Sequence, residues 1–207
     1  MAPVPKGVEA PPRRFLPGLG RFFYRYRSYT PLPLVAVVLA FSRPTPLSLA
    51  AGLALAGAGE GLRLAALRHI GGASRTRRLG DEGLVTGGPY GWTRNPLYAG
   101  NLLLSGGLAI ATGLAWFPPL LLLLFAIQYG PIIISEEEEL HRRHPEAYGA
   151  YAARAPRFFP RPPERSARPP RWSWREAARI ERSTLLTVAF LTLALLLHYR
   201  LHPGGTP

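Results

Sequence analysis

The chain has 207 residues, 47% of them hydrophobic and 18% charged, which excludes a disordered tail or a collagen-like repeat. Lysine and arginine number 25 against 12 acidic residues, for a net charge of +13 and a pI near 11.1, a balance that suits either a nucleic-acid binder or a membrane protein. Residues 101–135 contain no Lys, Arg, Asp or Glu, a stretch foreign to the surface of a basic soluble domain, so the expectation is an all-α integral membrane bundle that binds no nucleic acid. The absence of cysteine removes disulfides, Cys-ligated zinc, iron–sulfur centres and a thiol nucleophile together.

Crossing about 30 Å of hydrocarbon takes about 20 helical residues, and five apolar windows come near that size. The first, 31–42, is short for a span and follows a basic segment, 1–30, with no apolar stretch of signal-peptide type. Arg43-Pro44-Thr45-Pro46 then interrupts any helix. The second window is 47–67, where Ser48, Gly52 and Ala56 form a stripe of small residues suited to close helix approach. Windows 97–116 and 120–135 are joined by Phe117-Pro118-Pro119 and are expected to form an antiparallel hairpin. A Pro/Arg-rich connector (156–170) leads to Trp172, Trp174, Arg175 and Arg179, read as a membrane-surface helix ahead of the fifth window, 185–197. The expected organisation is therefore a segment 1–30, a membrane domain 31–160, a connector 161–182 and a terminal helix 183–202.

Residues 1–30 hold 6 of the 25 basic residues, 63–94 hold 6 and 142–182 hold 11, while Arg43 and Arg200 are the remainder. The positive-inside rule thus predicts that the N-terminus and both large loops are cytoplasmic and the C-terminus lies opposite. The use of Arg almost to the exclusion of Lys suggests a GC-rich prokaryote.

Two of the stretches assigned to the cytoplasm carry polar groups in patterns that solvation does not explain. In LVTGGPYGWTRNPLYAG (84–100) the glycines and Pro89 make an irregular turn whose backbone groups need partners, and Arg94, Asn95 and Tyr98 surround Pro96 at the mouth of the third window. A plain helix start with interfacial anchors is the simpler reading there. In SEEEELHRRHPEAYGAYAARAPRF (135–158), four consecutive carboxylates oppose the helix dipole if the helix ends at them. A helix continuing into water, with Glu138 and Glu139 pairing to Arg142 and Arg143, accounts for part of the run. It leaves Glu136 flanked on its own face by Ile132 and Leu140, which makes Glu136 a candidate functional acid with Arg94 or a cationic ligand as counter-charge. Glu137, His141 and His144 share a helical face and could bind a divalent ion, but the histidines are too few for a di-iron enzyme, and no metal is expected. Glu60 and Arg63, three apart, read as a structural ion pair.

Taken together, GPYGWTRNPLYAG and, about 35 residues later, EEEELHRRHPEAYGAYAARAPRFFP resemble the C-terminal catalytic region of the isoprenylcysteine carboxyl methyltransferase and phospholipid methyltransferase family. The resemblance covers residues 84–160. It implies S-adenosylmethionine as cofactor, in a cytoplasm-facing pocket contacted by Leu84, Val85, Tyr90, Asn95, Pro96, Leu97, Tyr98, Glu136 and Glu137, with Arg94 and Glu136 as catalytic candidates. It also implies a lipophilic or amphiphilic methyl acceptor that enters from the membrane lipid. Two positions depart from the family pattern: its His-Pro reads Asn95-Pro96 here, and an arginine four residues before the first acid, found where a prenylcysteine carboxylate is methylated, is Ile132. The first keeps a hydrogen-bonding side chain but removes a titrating imidazole; the second weakens a carboxylate acceptor, leaves Arg94 as the remaining candidate to hold an anionic one, and favours nitrogen, sulfur or a phospholipid headgroup. The competing readings are an NADPH-dependent membrane reductase, with Arg75, Arg77 and Arg78 on the 2′-phosphate, and a scaffold whose basic 141–182 segment binds anionic lipid.

Overall fold

The computed structural model describes residues 40–71, 84–158 and 169–202, and every described element is helical: α1 (Pro46–Ile70), α2 (Pro89–Trp92), α3 (Pro96–Ala111), α4 (Phe117–Arg143), α5 (Pro145–Arg154) and α6 (Trp174–Leu201). The first expected window, 31–42, lies outside the described residues except for its last three. α1, α4 and α6 are long and apolar enough to cross a membrane. α3 has 16 residues, about 24 Å at 1.5 Å per residue, and falls short of the hydrocarbon thickness.

The helix boundaries follow local chemistry. Thr45 caps α1 through a reciprocal box in which its hydroxyl accepts from the Ser48 amide at 3.1 Å and its own amide donates to Ser48 Oγ at 2.9 Å, with Pro46 in the first turn. Ser48 is therefore a capping residue, and the expected small-residue stripe passes instead through Gly52, Ala56 and Gly59. These pack on Gly100, Gly107 and Ala111 of α3: a Cβ on Gly52 would lie 2.5 Å from the Gly107 carbonyl oxygen, and one on Gly107 would lie 2.5 Å from that of Gly52. Glycine on both sides brings the two backbones together, so α1 and α3 are the most closely packed pair among the described helices. At the far end of this pair the Arg43 amide donates to the Thr112 carbonyl at 2.7 Å.

The hairpin between α3 and α4 forms as expected, but its link is Thr112 to Trp116. Phe117, Pro118 and Pro119 belong to the first turn of α4, where prolines cost nothing because those N–H groups have no intrahelical acceptor. α4 then runs without a break through Pro131 and the whole acidic run to Arg143. α5 follows at once, with His144 between the two helices. The expected surface helix and last span are one element: Ser173 and Glu176 form a second capping box, and α6 continues from Trp174 to Leu201. Exposed apolar residues on α4 (Leu122, Leu123, Ile127) and on α6 (Leu186, Phe190, Leu193, Leu197) recur at helical spacing and face the lipid. The molecule is an all-α membrane helical bundle.

Candidate functional site

The site forms where the turn before α3, the end of α4 and the chain after α5 meet. Gly88, with φ 58°, opens the turn in a backbone conformation that favours glycine, and the His69 ring packs against its α-carbon, where a side chain would collide. Arg94 and Asn95 then project from the start of α3 toward Glu137, a buried residue on α4.

Glu137 is the hub. Its carboxylate accepts from Asn95 Nδ2 at 2.7 Å, from an Arg94 η nitrogen at 3.2 Å and from an Arg157 η nitrogen at 2.9 Å, with both Nε groups adding longer contacts. The other Arg94 η nitrogen donates to the Ala152 and Ala155 carbonyls at 2.9 and 3.0 Å, and the Arg94 amide donates to Pro156 at 2.9 Å. Thr93 Oγ1 donates to the Arg157 carbonyl at 2.8 Å. Four of the five guanidinium N–H groups of Arg94 are thus engaged, in keeping with a strut that joins three chain segments. Of the two counter-charges expected for Glu136, Arg94 or a cationic ligand, Arg94 makes its ion pair with Glu137 instead, one position further along α4 and about 100° around it.

A second layer is aromatic. Tyr148 and Tyr151 of α5 pack edge to face with centroids 6.0 Å apart and are buried with Ala155 against Leu84, Leu140 and Ala152. The Tyr151 hydroxyl donates to the Tyr90 carbonyl at 2.8 Å, which ties α5 to the turn. Burial pushes the Tyr90 phenol well above the ordinary tyrosine value, with further upward pressure from Tyr151, Glu136 and Tyr98. Tyr148 and Tyr151 are raised, chiefly by burial, and the hydrogen bond to Glu137 raises Arg157. The buried hydroxyl of Tyr90 has no hydrogen-bond partner among the described residues, an arrangement that a polar ligand relieves. Tyr98 lies 5.5 Å from Tyr129 of α4, whose ring is 4.5 Å from Phe125.

Of the residues expected to share one ligand, Tyr98 and Glu136 each act electrostatically on the buried Tyr90 phenol. Leu84 packs on the aromatic layer, Pro96 is buried in the first turn of α3, and Val85 and Leu97 are half-buried. A shallow cleft of about 520 Å³ beside the cluster is lined by Ile134, Glu137, Glu138, His141, Arg142 and Arg157. Of the expected i,i+4 pairs, Glu139–Arg143 forms at 2.6 Å, while Arg142 pairs with Glu139 in place of Glu138. Of the face considered for a metal, Glu137 is engaged by the two arginines and Asn95, and His141 lies edge-on to Tyr148 at 6.0 Å. No group of three His, Cys, Asp or Glu residues among the described residues could hold a metal ion.

Arg157 is the residue that reading the sequence motif by motif overlooks. Its signal was the arginine of APRF in the second motif, assigned there to no partner. Arg63 is a second such case: beyond the expected pair with Glu60, at 3.5 Å, it bonds Asn101 and Glu181, contacts across 38 and 118 residues that no local pattern announces.

The fold and this cluster define a helical membrane protein with a buried polar site at the charged end of a helix hairpin. Residues 47–148 match the model of the phospholipid methyltransferase family; the match takes in α1 as well as the motif turn and the acidic helix. Two curated proteins are each 44% identical over 78 residues, which is 38% of this chain and 36% of theirs: the nickel-cobalt-cadmium resistance protein NccN of Alcaligenes xylosoxydans xylosoxydans and the cobalt-zinc-cadmium resistance protein CzcN of Cupriavidus metallidurans. The aligned part therefore spans little more than a third of those relatives. No solved structure matches.

Proposed function

We propose that the chain is a membrane methyltransferase that uses S-adenosylmethionine, binds it at the cytoplasmic end of the hairpin and methylates a lipophilic or amphiphilic acceptor. The observation that supports this reading is the buried Tyr90 hydroxyl, which has no hydrogen-bond partner among the described residues and stands with Tyr98 and Glu136 in the stretch that matches the family.

When bound, S-adenosylmethionine supplies a methyl group already activated by its sulfonium. The residues present fit it. Glu136 offers a carboxylate to the amino group, the rings of Tyr90 and Tyr98 offer π-faces to a cation, and the unpaired Tyr90 hydroxyl offers a hydrogen bond. Because the chemistry needs alignment and exclusion of water more than covalent help, the Glu137 hub has a positioning role: it holds Arg94, Asn95 and Arg157, and thereby fixes the turn against α4 and α5. The engagement of Arg94 counts against its grasping an anionic acceptor, and Ile132 stands where a carboxylate-methylating enzyme has arginine. A neutral or cationic nitrogen or a sulfur, on a molecule reaching the site from the bilayer, is the acceptor class we favour.

Calorimetric titration of the detergent-purified protein with S-adenosylmethionine, S-adenosylhomocysteine and NADPH tests the reading, with Glu136→Gln and Tyr98→Ala alongside. Saturable binding of the two adenosyl ligands, weakened at least tenfold in both variants, supports it. Binding of NADPH alone would move the protein to the reductases, and binding of none would leave the lipid-binding scaffold.

A further inference from the structure

The family match ends at residue 148 and α6 lies beyond it, yet one buried side chain ties α6 into the matched region. Arg63, near the charged end of α1, crosses α3 at Gly100, where a Cβ would lie 2.6 Å from Arg63 Cγ. Having passed that gap, its guanidinium donates through one η nitrogen to Asn101 Oδ1 of α3 and through the other to Glu181 Oε1 of α6, while its Nε lies 3.5 Å from Glu60 Oε2 on α1. Glu181 is 1% exposed and the Arg63 side chain 11%, so three helices meet on one planar fork shielded from solvent, where charge-assisted bonds are strong and directional.

Two details give this junction a bearing on the site. Asn101 stands three residues after Tyr98, on the neighbouring turn of α3, so the bond from Arg63 bears on the rotation of the turn that carries Pro96, Leu97 and Tyr98. Both Glu60 carboxylate oxygens are buried without a hydrogen bond among the described residues, as is Arg63 Nε. A competing acceptor therefore waits beside the guanidinium, and Glu181 is what draws the fork toward α3 and α6. Without the Glu181 charge, Arg63 has reason to turn to Glu60 and release Asn101, because a buried guanidinium follows the strongest available acceptor.

We propose that Glu181 is a positioning residue for cofactor binding: from α6, through Arg63 and Asn101, it sets the first turns of α3, so the helix outside the family match is part of the working unit. This rests on the cofactor reading above. The test compares Glu181→Gln, Glu181→Asp, Asn101→Leu and Leu195→Ala in the full-length protein in detergent. Leu195 is a buried residue of the same helix, 2% exposed, so its truncation loosens α6 without touching the junction. Hydrogen exchange of amides 99–103 is read without ligand, and S-adenosylmethionine affinity by calorimetry.

Glu181→Gln and Asn101→Leu should each speed exchange across 99–103 and weaken binding, both about tenfold; Glu181→Asp should recover most of the loss, and Leu195→Ala should change neither by more than about twofold. If Glu181→Gln fails to fold, Asn101→Leu, which cuts the same relay at its α3 end, decides in its place. Equal effects of Glu181→Gln and Leu195→Ala would reduce Glu181 to general helix docking and overturn the proposal. If the wild type binds no adenosyl ligand, the cofactor reading fails by itself, and unchanged exchange in the junction variants would then refute the relay separately.

Discussion

Truncating Glu137 to alanine removes the acceptor shared by three donors from different parts of the chain. Its side chain is 10% exposed and that of Arg94 14%, whereas that of Arg157 is 50% exposed. Leaving a buried charge without its partner costs about 3–5 kcal/mol; a half-exposed ion pair such as that with Arg157 adds at most about 0.5 kcal/mol. Arg94 keeps its bonds to the Ala152 and Ala155 carbonyls, so the lower end applies, and a loss of about 3 kcal/mol is expected, roughly a hundredfold in the folded-to-unfolded ratio. Glu139→Ala, on the same helix, is the matched control. Its partners Arg142 and Arg143 are 76% and 40% exposed, and the loss should stay near 0.5 kcal/mol, about the size of an exposed helical pair. Unfolding by sodium dodecyl sulfate in mixed micelles, followed by tryptophan fluorescence, measures both. If the two variants lose the same stability, Glu137 is not the hub that joins the turn, α4 and α5.

Gly107→Ala should destabilise by about 1–3 kcal/mol through overpacking against α1, while Gly106→Ala, with nothing within 4 Å of the added methyl, should be neutral or gain up to about 1 kcal/mol; the same unfolding titration separates them. Tyr151→Phe removes the 2.8 Å bond to the Tyr90 carbonyl, worth about 1 kcal/mol, and should weaken S-adenosylmethionine binding up to about fivefold in calorimetry. Because burial raises the Tyr90 phenol in the folded state, its contribution to stability is complete below the ordinary tyrosine value of 10.0. As pH rises above that value the unfolded state gives up the proton first, and stability falls. Tyr90→Phe should flatten the alkaline limb of a stability profile taken from pH 9 to pH 12, and an unchanged limb would contradict the burial of that hydroxyl.

The parts of the fold legible in the sequence are those governed by neighbours along the chain. Proline breaks, apolar windows and turn glycines locate α1, the hairpin and the motif turn because capping, helix length and backbone conformation are local matters. The same locality explains the boundary errors: Phe117-Pro118-Pro119 reads equally well as a link or as a first turn, and the polar and apolar halves of α6 read as two elements because composition changes where the hydrogen-bonded ladder does not. The acidic run could be recognised as unusual from residue types and spacing, whereas grouping Tyr90, Tyr98 and Glu136 around one ligand needed the family resemblance.

Which acid takes which cation was beyond that reading. Glu136 and Glu137 are chemically the same and adjacent, and only the 100° step between neighbours on a helix turns Glu137 toward Arg94, Asn95 and Arg157. The Arg63 junction is further still from local inference: it exists because Gly100 leaves room for a side chain to pass and because α6 packs beside α1, distances in space that sequence separation does not encode. The sequence alone determined the membrane character, the long apolar helices and the residues from which a site could be made. Tertiary structure decided their partners, because a buried charge takes whichever counter-charge the packing of distant helices brings within hydrogen-bond reach.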